Sequence, residues 1–323
     1  MINKTKPRVC VYYHVLPTTG YRDDGAPLFL NYNLRKILNN VSGKTSGNIL
    51  SDHSQNVVHL APYGDMDSFG KFDLNILVDH GEDVLDVPLD FELPHPSAYW
   101  VSDAHLGYKY RMERAKQFDY VFVAQKAFIE RFVRDGVPRE KIHYLPHAFE
   151  PDVYRPIATI EKWDWCFVGH PNSEHRIDLL DRFIKEFPNY YLGWRTPGLQ
   201  GHNELEDVNL KYNQSKLVIN DAINNDLNMR VFETLGSGRC LITQNIPEFD
   251  GDIGDCFVTY DTIEEAVERA KVLLKDDEIR NLIAKTGHES VMREHTYGHR
   301  ALSILKTCLD YSPKGEHLVT ATH

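Results

Sequence analysis

Cysteine is scarce in this chain. The five cysteines, at positions 10, 166, 240, 256 and 308, show no paired spacing. That excludes a disulfide framework and a cysteine-held zinc site as organising devices. Cys10, Cys166, Cys240 and Cys256 stand in or beside strand-like runs and are expected to be reduced core residues. No apolar run approaches the length needed to cross a bilayer. Residues 1–7 lack the apolar stretch of a signal peptide, so a cytoplasmic protein is expected. Positive charge is also short: 36 Lys and Arg face 47 Asp and Glu, a net charge of −11, which argues against indiscriminate nucleic-acid binding. No Asp-x-Asp pair stands at the end of an expected strand, the usual device for a bridging metal, so neither a metal nor another cofactor is expected.

What is present is ordinary globular material: 323 residues, 42% hydrophobic and 26% charged, enough for two cored domains. Strand-like runs alternate with helix-like segments. Strands are expected at 8–15, 57–60, 74–78, 98–101, 119–124 and 141–145, with helices near 29–40, 105–117 and 126–135. Three prolines between Pro146 and Pro156 interrupt the pattern and read as a linker. It then restarts with strands at 163–168, 190–194, 216–220, 241–243 and 256–260. Helices are expected at 174–187, 227–236, 262–275, 277–294 and about 297–310, and the tail after Ser312 reads as loose. Such alternation implies parallel sheets with helical crossovers. The expected fold is therefore α/β, with two Rossmann-like doubly wound domains facing each other across a cleft at the carboxyl ends of their strands. Residues 1–150 and 151–323 form the two domains, with the last helix able to return to the first.

The richest stretch is Asn228-Met-Arg-Val-Phe-Glu-Thr-Leu-Gly-Ser-Gly238. Arg230 and Glu233 lie three apart and share a helix face. A guanidinium can neutralise phosphate, and a carboxylate can accept two ribose hydroxyls. Taken alone, the two would be an ordinary surface ion pair. Asn228 stands where a helix cap would. Upstream, Phe167-Val-Gly-His-Pro-Asn-Ser-Glu-His-Arg176 is a strand, a glycine turn and a helix start, an arrangement that favours an anion. Gly169 would let backbone approach the ligand. The bland alternative is a turn capped by Ser173. Lys216 opens the strand ending at Asn220-Asp221, so Arg176, Lys216 and Arg230 are expected to gather at strand carboxyl ends and hold a diphosphate.

Segments 163–176 and 212–243 resemble the carboxy-terminal domain of GT-B glycosyltransferases, most of all the spore-maturation CgeB-like group and, more distantly, glycosyltransferase family 4. The pattern at 228–238 carries most of the likeness. Phe118–Lys126, Tyr144–Ala148 and Trp100–His105 resemble the same group, so the likeness spans roughly 70–300. The resemblance implies that Glu233 binds the nucleotide ribose and that Arg176 contacts the diphosphate, within a donor site also including Gly25, His147, Gly169, His170, Lys216, Asn228, Met229 and Arg230. The chain departs from family 4 twice. His170 replaces a second phosphate-binding arginine, and Asn225 replaces the first glutamate of a Glu-x7-Glu motif, which in that family contacts the donor sugar.

The resemblance implies a hexosyltransferase that moves sugar from a nucleotide diphosphate, a UDP-sugar being favoured, to an acceptor hydroxyl with retention and without metal. His105 would contact the donor sugar. Asp103 would orient it or act as base, unless it merely caps the next helix. Asp79, Glu82 and Asp83, which leave a strand at a glycine, are further candidates for the base. Residues 78–104 hold seven acids and no Lys or Arg, which suits hydroxyl-rich ligands. Residues 106–141 hold nine Lys or Arg against five acids, and the run 108–116 could meet a polyanionic surface or be a solvated helix face. The acceptor is left open: glycan, protein, small molecule or modified DNA. Two rival readings are a nucleotide-sugar epimerase on the same fold and a non-catalytic sugar-nucleotide-binding protein.

Overall fold

The structure is a computed structural model of the 323-residue chain. It describes residues 6–13, 26–39, 58–62, 71–79, 88–171, 173–193, 205–222, 226–249, 253 and 256–311. Gly25, Glu82, Asp83 and Asn225 lie outside the described residues.

Contacts divide the chain into two compact units, Met1–His147 with Tyr297–His323, and Ala148–Thr296. The first unit contains β1 (Val9–Tyr13), α1 (Ala26–Asn39), β2 (Val58–Pro62), β3 (Leu74–Asp79), β4 (Ser97–Val101), α2 (Tyr108–Ala115), β5 (Tyr120–Val123), α3 (Ile129–Arg134) and β6 (Ile142–Tyr144). The second contains β7 (Trp163–Val168), α4 (Glu174–Glu186), β8 (Tyr190–Gly193), α5 (Leu205–Asn213), β9 (Ser215–Asn220), α6 (Met229–Gly236), β10 (Cys240–Gln244), β11 (Val258–Tyr260), α7 (Ile263–Lys275) and α8 (Asp277–Glu294). The last helix, α9 (Tyr297–Leu309), belongs to the first unit, where it packs on α1 with Phe29 and Tyr297 ring centroids 5.1 Å apart.

The sheets run in the orders β2-β1-β3-β4-β5-β6 and β11-β10-β9-β7-β8, with every pairing parallel. The first five strands of each unit follow the same order, and the first sheet adds β6 at its edge. Each unit's first strand sits between its second and third, so chain direction across the sheet reverses beside that first strand. This is the doubly wound α/β arrangement expected from the sequence, with a topological switch point at β1/β3 and another at β7/β9. Central strands covered on both faces read as unbroken apolar runs. Accordingly every residue of β3 and β4 is buried, as are Trp165–Val168 in β7 and Leu217–Asn220 in β9. Buried indoles find carbonyls: Trp100 Nε1 donates to Leu145 O at 3.0 Å and Trp165 Nε1 to Phe187 O at 2.9 Å. All five cysteines are buried and unpaired, Cys308 on α9 included.

Helix α5 was not expected. Asn and Asp are weak helix formers, and they interrupt its short apolar pattern. Tertiary burial of Val208 and Tyr212 supplies the stabilisation that propensity does not.

Candidate functional site

The β7/β9 switch point carries a cluster of charge. The register Cys166↔Val218 brings the ends of the two strands level, so Val168 and Asn220 finish side by side. Beyond β7, Gly169 and His170 lead to α4, whose cap is Ser173: its Oγ accepts from Arg176 N at 3.2 Å. Beyond β9, Asn228 caps α6, its side-chain oxygen accepting from Arg230 N at 3.1 Å. Each cap satisfies one of the amides a helix start leaves without an intrahelical partner. Both helices thus begin at the carboxyl end of the sheet, each with an arginine in its first turn.

Arg176 is 2% exposed. It donates from Nη1 to His170 O and from Nη2 to Asp221 O, both at 2.6 Å, and its Nε lies 3.8 Å from Asp221 Oδ2. Asp221 Oδ1 also accepts from Tyr260 Oη at 3.0 Å and meets His175 Nδ1 at 2.9 Å. Burial and that carboxylate push the Tyr260 hydroxyl well above its ordinary range. Arg230 donates from Nε to Val168 O at 2.8 Å and from Nη1 to Asn220 Oδ1 at 2.5 Å. Both guanidiniums lie near the Phe167 ring, at 5.4 Å for Arg176 and 4.5 Å for Arg230. Burial, and then repulsion from Arg230, lower the Arg176 pKa to about 10, against the opposing pull of Asp221. Two guanidiniums crowded together at a pair of helix starts would be relieved by an anion.

Gly169 has a use beyond the one expected. A Cβ there would overlap the Arg230 guanidinium, so the missing side chain makes room for the arginine. His170 is exposed, while Asn228, Met229 and Arg230 are part-buried. Glu233 is 3% exposed on α6, one turn beyond Arg230. Gly236, near the end of that helix, faces the Phe149 ring, which a Cβ would strike.

Lys216 does not join the cluster. It is the second residue of β9, at the amino end of the strand, and its Nζ is 2.9 Å from Asp164 Oδ1. A parallel strand six residues long separates its two ends by about 17 Å, since each residue advances about 3.3 Å.

In the first unit, Asp79 is fully buried at the end of β3. Its Oδ2 accepts from Arg111 Nε at 2.6 Å and from Tyr99 Oη at 2.7 Å, and its Oδ1 accepts from Arg111 Nη2 at 2.9 Å. Burial pushes the carboxyl up and Arg111 pulls it back. The two-pronged geometry is that of an ionised pair, and it leaves Asp79 enclosed, so this acid supports the fold and is not placed to take an acceptor proton. Arg111 also donates from Nη1 to Leu106 O, and Ser102 Oγ donates to Asp79 O. The pair therefore anchors both ends of the turn carrying Asp103 and His105.

Asp103 is not the cap of α2. That helix starts behind Gly107, which takes a left-handed conformation at φ 54°. The Asp103 carboxylate lies 3.2 Å from Ser102 Oγ. His105 Nδ1 is 2.9 Å from Gln125 Nε2, and burial lowers its pKa below the ordinary histidine value. The neutral imidazole can accept from the Gln125 amide at Nδ1 and donate from Nε2. His147 is 3% exposed, and its carbonyl accepts from Arg300 Nη2 at 2.7 Å.

The basic run 108–116 is not a charged face. Arg111 and Arg114 are both buried, Arg114 donating to Phe91 O at 2.5 Å and also to Pro88 O. Only Lys109 and Lys116 of this run's cations are exposed, and Lys116 pairs with Glu113 at 3.1 Å.

Sequence reading missed the groups that hold the arginines: Phe167, Asn220, Asp221, Thr243 and Tyr260. Polar residues ending a buried run, Asn220-Asp221, were a visible signal. Tyr260, 39 residues from Asp221 along the chain, was not.

Residues 173–306 match a family described as glycosyl transferase-like. No curated protein matches the chain. Among solved structures, the chain resembles S. aureus TarM, crystallised with fondaparinux, alpha-GlcNAc-glycerol and UDP: TM-score 0.55, 12% identity, 73% of this chain and 55% of TarM covered. It thus spans about half of TarM's length. Anabaena HepE, in complex with UDP and glucose, aligns at TM-score 0.60 and 12% identity over 94% of this chain and 100% of HepE. Sucrose-phosphate synthase from Thermosynechococcus elongatus aligns at TM-score 0.60 and 10% identity over 92% of this chain and 97% of that one. Together with two doubly wound units whose first five strands run in the same order, these likenesses identify the fold of the protein as GT-B.

Proposed function

We propose that the protein is a glycosyltransferase that takes a sugar from a nucleotide diphosphate donor, a UDP-sugar in the first instance, and passes it to an acceptor hydroxyl. The observation that carries this reading is the pair of guanidiniums, Arg176 and Arg230, at the starts of α4 and α6 beside the β7/β9 switch point. Open α/β sheets bind ligands at such points, and helix starts favour phosphate. UDP in the TarM and HepE structures supports a uridine base.

In this reading the departing diphosphate is stabilised by Arg176, Arg230 and helix amides, which is electrostatic catalysis without a metal. Glu233 accepts the ribose hydroxyls, and Gly169, His170, Asn228 and Met229 line the donor. Gly25 and His147 belong to the same proposed donor set. His105 donates from Nε2 to a hydroxyl of the donor sugar. Asp103, the half-buried acid beside it, or Glu82 takes the acceptor proton. Retention of configuration is proposed by family likeness alone.

Calorimetry with UDP-, GDP-, ADP- and TDP-sugars, with and without EDTA, tests the reading. Binding of one sugar nucleotide that survives EDTA is expected. Glu233→Ala should weaken that binding far more than it lowers the melting temperature. Absence of binding for all four, or binding only with a divalent cation, would refute the proposal as stated. Release of an isomerised sugar nucleotide without acceptor would identify an epimerase, and binding without turnover across a broad acceptor screen a non-catalytic protein.

A further inference from the structure

Asn220 and Asp221 are adjacent, yet they serve the two arginines differently. Asp221 offers Arg176 a carbonyl and, at 3.8 Å, a carboxylate. Asn220, which is 1% exposed, offers Arg230 an amide oxygen at 2.5 Å. The same oxygen accepts from Asn228 Nδ2 at 3.2 Å, while Asn220 Nδ2 donates to Thr243 Oγ1 at 2.9 Å. Both donors face the oxygen and an acceptor faces the nitrogen, so the network fixes which way the amide points. Val168 O, the other acceptor of Arg230, is also neutral. Arg230 is therefore held by polar groups on β7 and β9, and among the described residues none of the acceptors recorded for its guanidinium carries a charge.

An aspartate at position 220 would have nearly the same shape. It could accept the same two donors, and the Thr243 hydroxyl could turn to donate to it. It would also supply a negative charge at hydrogen-bond distance from Arg230. We infer that Asn220 is a positioning residue whose neutrality keeps the charge of Arg230 available to the diphosphate of the donor. This rests on the functional reading above and adds a requirement to it: the orienting group must be an amide. Asp221, one residue later, takes the opposite part by offsetting the more deeply buried Arg176.

The test compares the full-length protein with Asn220→Asp, Asn220→Ala and Asp221→Asn. UDP and uridine binding are measured by calorimetry at several salt concentrations, and stability by urea unfolding. Asn220→Asp should bind UDP about 10- to 100-fold more weakly, the worth of a charge-assisted hydrogen bond, with flatter salt dependence. Its uridine affinity should be unchanged and its stability equal to or above that of the parent. Asn220→Ala, which removes the orienting bonds without adding charge, should lose less UDP affinity. Asp221→Asn, which removes the carboxylate beside the buried Arg176, should lower stability. Undiminished UDP affinity in Asn220→Asp would overturn the inference. So would parallel losses of UDP affinity, uridine affinity and stability, which a purely structural amide would produce. If Asn220→Asp fails to fold, a loss of UDP affinity in Asn220→Ala that leaves uridine binding intact supports the inference, and equal losses overturn it. If the parent protein binds no nucleoside diphosphate, the functional reading itself falls and takes this one with it.

Discussion

The two units share the order of their first five strands but handle charge at their strand ends in opposite ways. At the end of β3, one carboxylate meets one guanidinium in a closed pair, with Tyr99 completing the acceptor's needs. At the ends of β7 and β9, one guanidinium, Arg176, has a carboxylate 3.8 Å away, and the other, Arg230, has only neutral acceptors among the described residues. The closed pair is structural: it ties the Ser102–Leu106 turn to β3. The open cluster keeps positive charge at a place where α/β sheets bind ligands. Equal topology thus does not give equal chemistry. What differs is whether folding leaves a charge compensated.

Three substitutions would break or sharpen this contrast. The largest effect is expected from Asp79→Asn, which removes the carboxylate that the buried Arg111 grips with two hydrogen bonds. Urea unfolding should show a loss of about 3–5 kcal/mol, and a loss under about 1 kcal/mol would mean that Arg111 finds another partner or reaches water. Arg230→Ala should do the reverse. UDP affinity should drop about 10- to 100-fold by calorimetry, the worth of a charge-assisted bond, for a stability cost of only about 1–2 kcal/mol from the unsatisfied Val168 carbonyl. Unaltered UDP affinity would make this arginine a structural group like Arg111. The smallest effect belongs to Lys216→Ala. Its ion pair with Asp164 is partly exposed at the amino end of β9, so stability should change by less than about 1 kcal/mol, and UDP affinity should stay the same. A drop in UDP affinity for that variant would contradict the placement of Lys216.

Much of the fold was legible because parallel strands buried on both faces read as unbroken apolar runs. The stretches at 74–78, 98–101, 163–168 and 216–220 lie within a residue of the strands they form. Helix α5 was not legible, since its stability comes from burial of Val208 and Tyr212. In the candidate site, the positions of Arg176 and Arg230 in their first turns followed from the caps at Ser173 and Asn228, which are local features. The fates of Lys216, Asp79 and Arg111 were hidden. An isolated segment does not show which end of a strand a side chain occupies relative to a ligand. Nor does it show that a cation in a basic run will meet an acid 32 residues away.

The sequence by itself determined the alternation of strands and helices, the interruption at Pro146–Pro156, and the helix starts that carry Arg176 and Arg230. These depend on periodicity and capping within a few residues, and such interactions survive in any fold that uses the segment. Only the tertiary structure decided which charges are neutralised, why position 169 must be glycine, and that α9 returns to the first unit. Compensation of a buried charge and close approach of a guanidinium to backbone require groups distant along the chain to meet, and that meeting is set by sheet order and register.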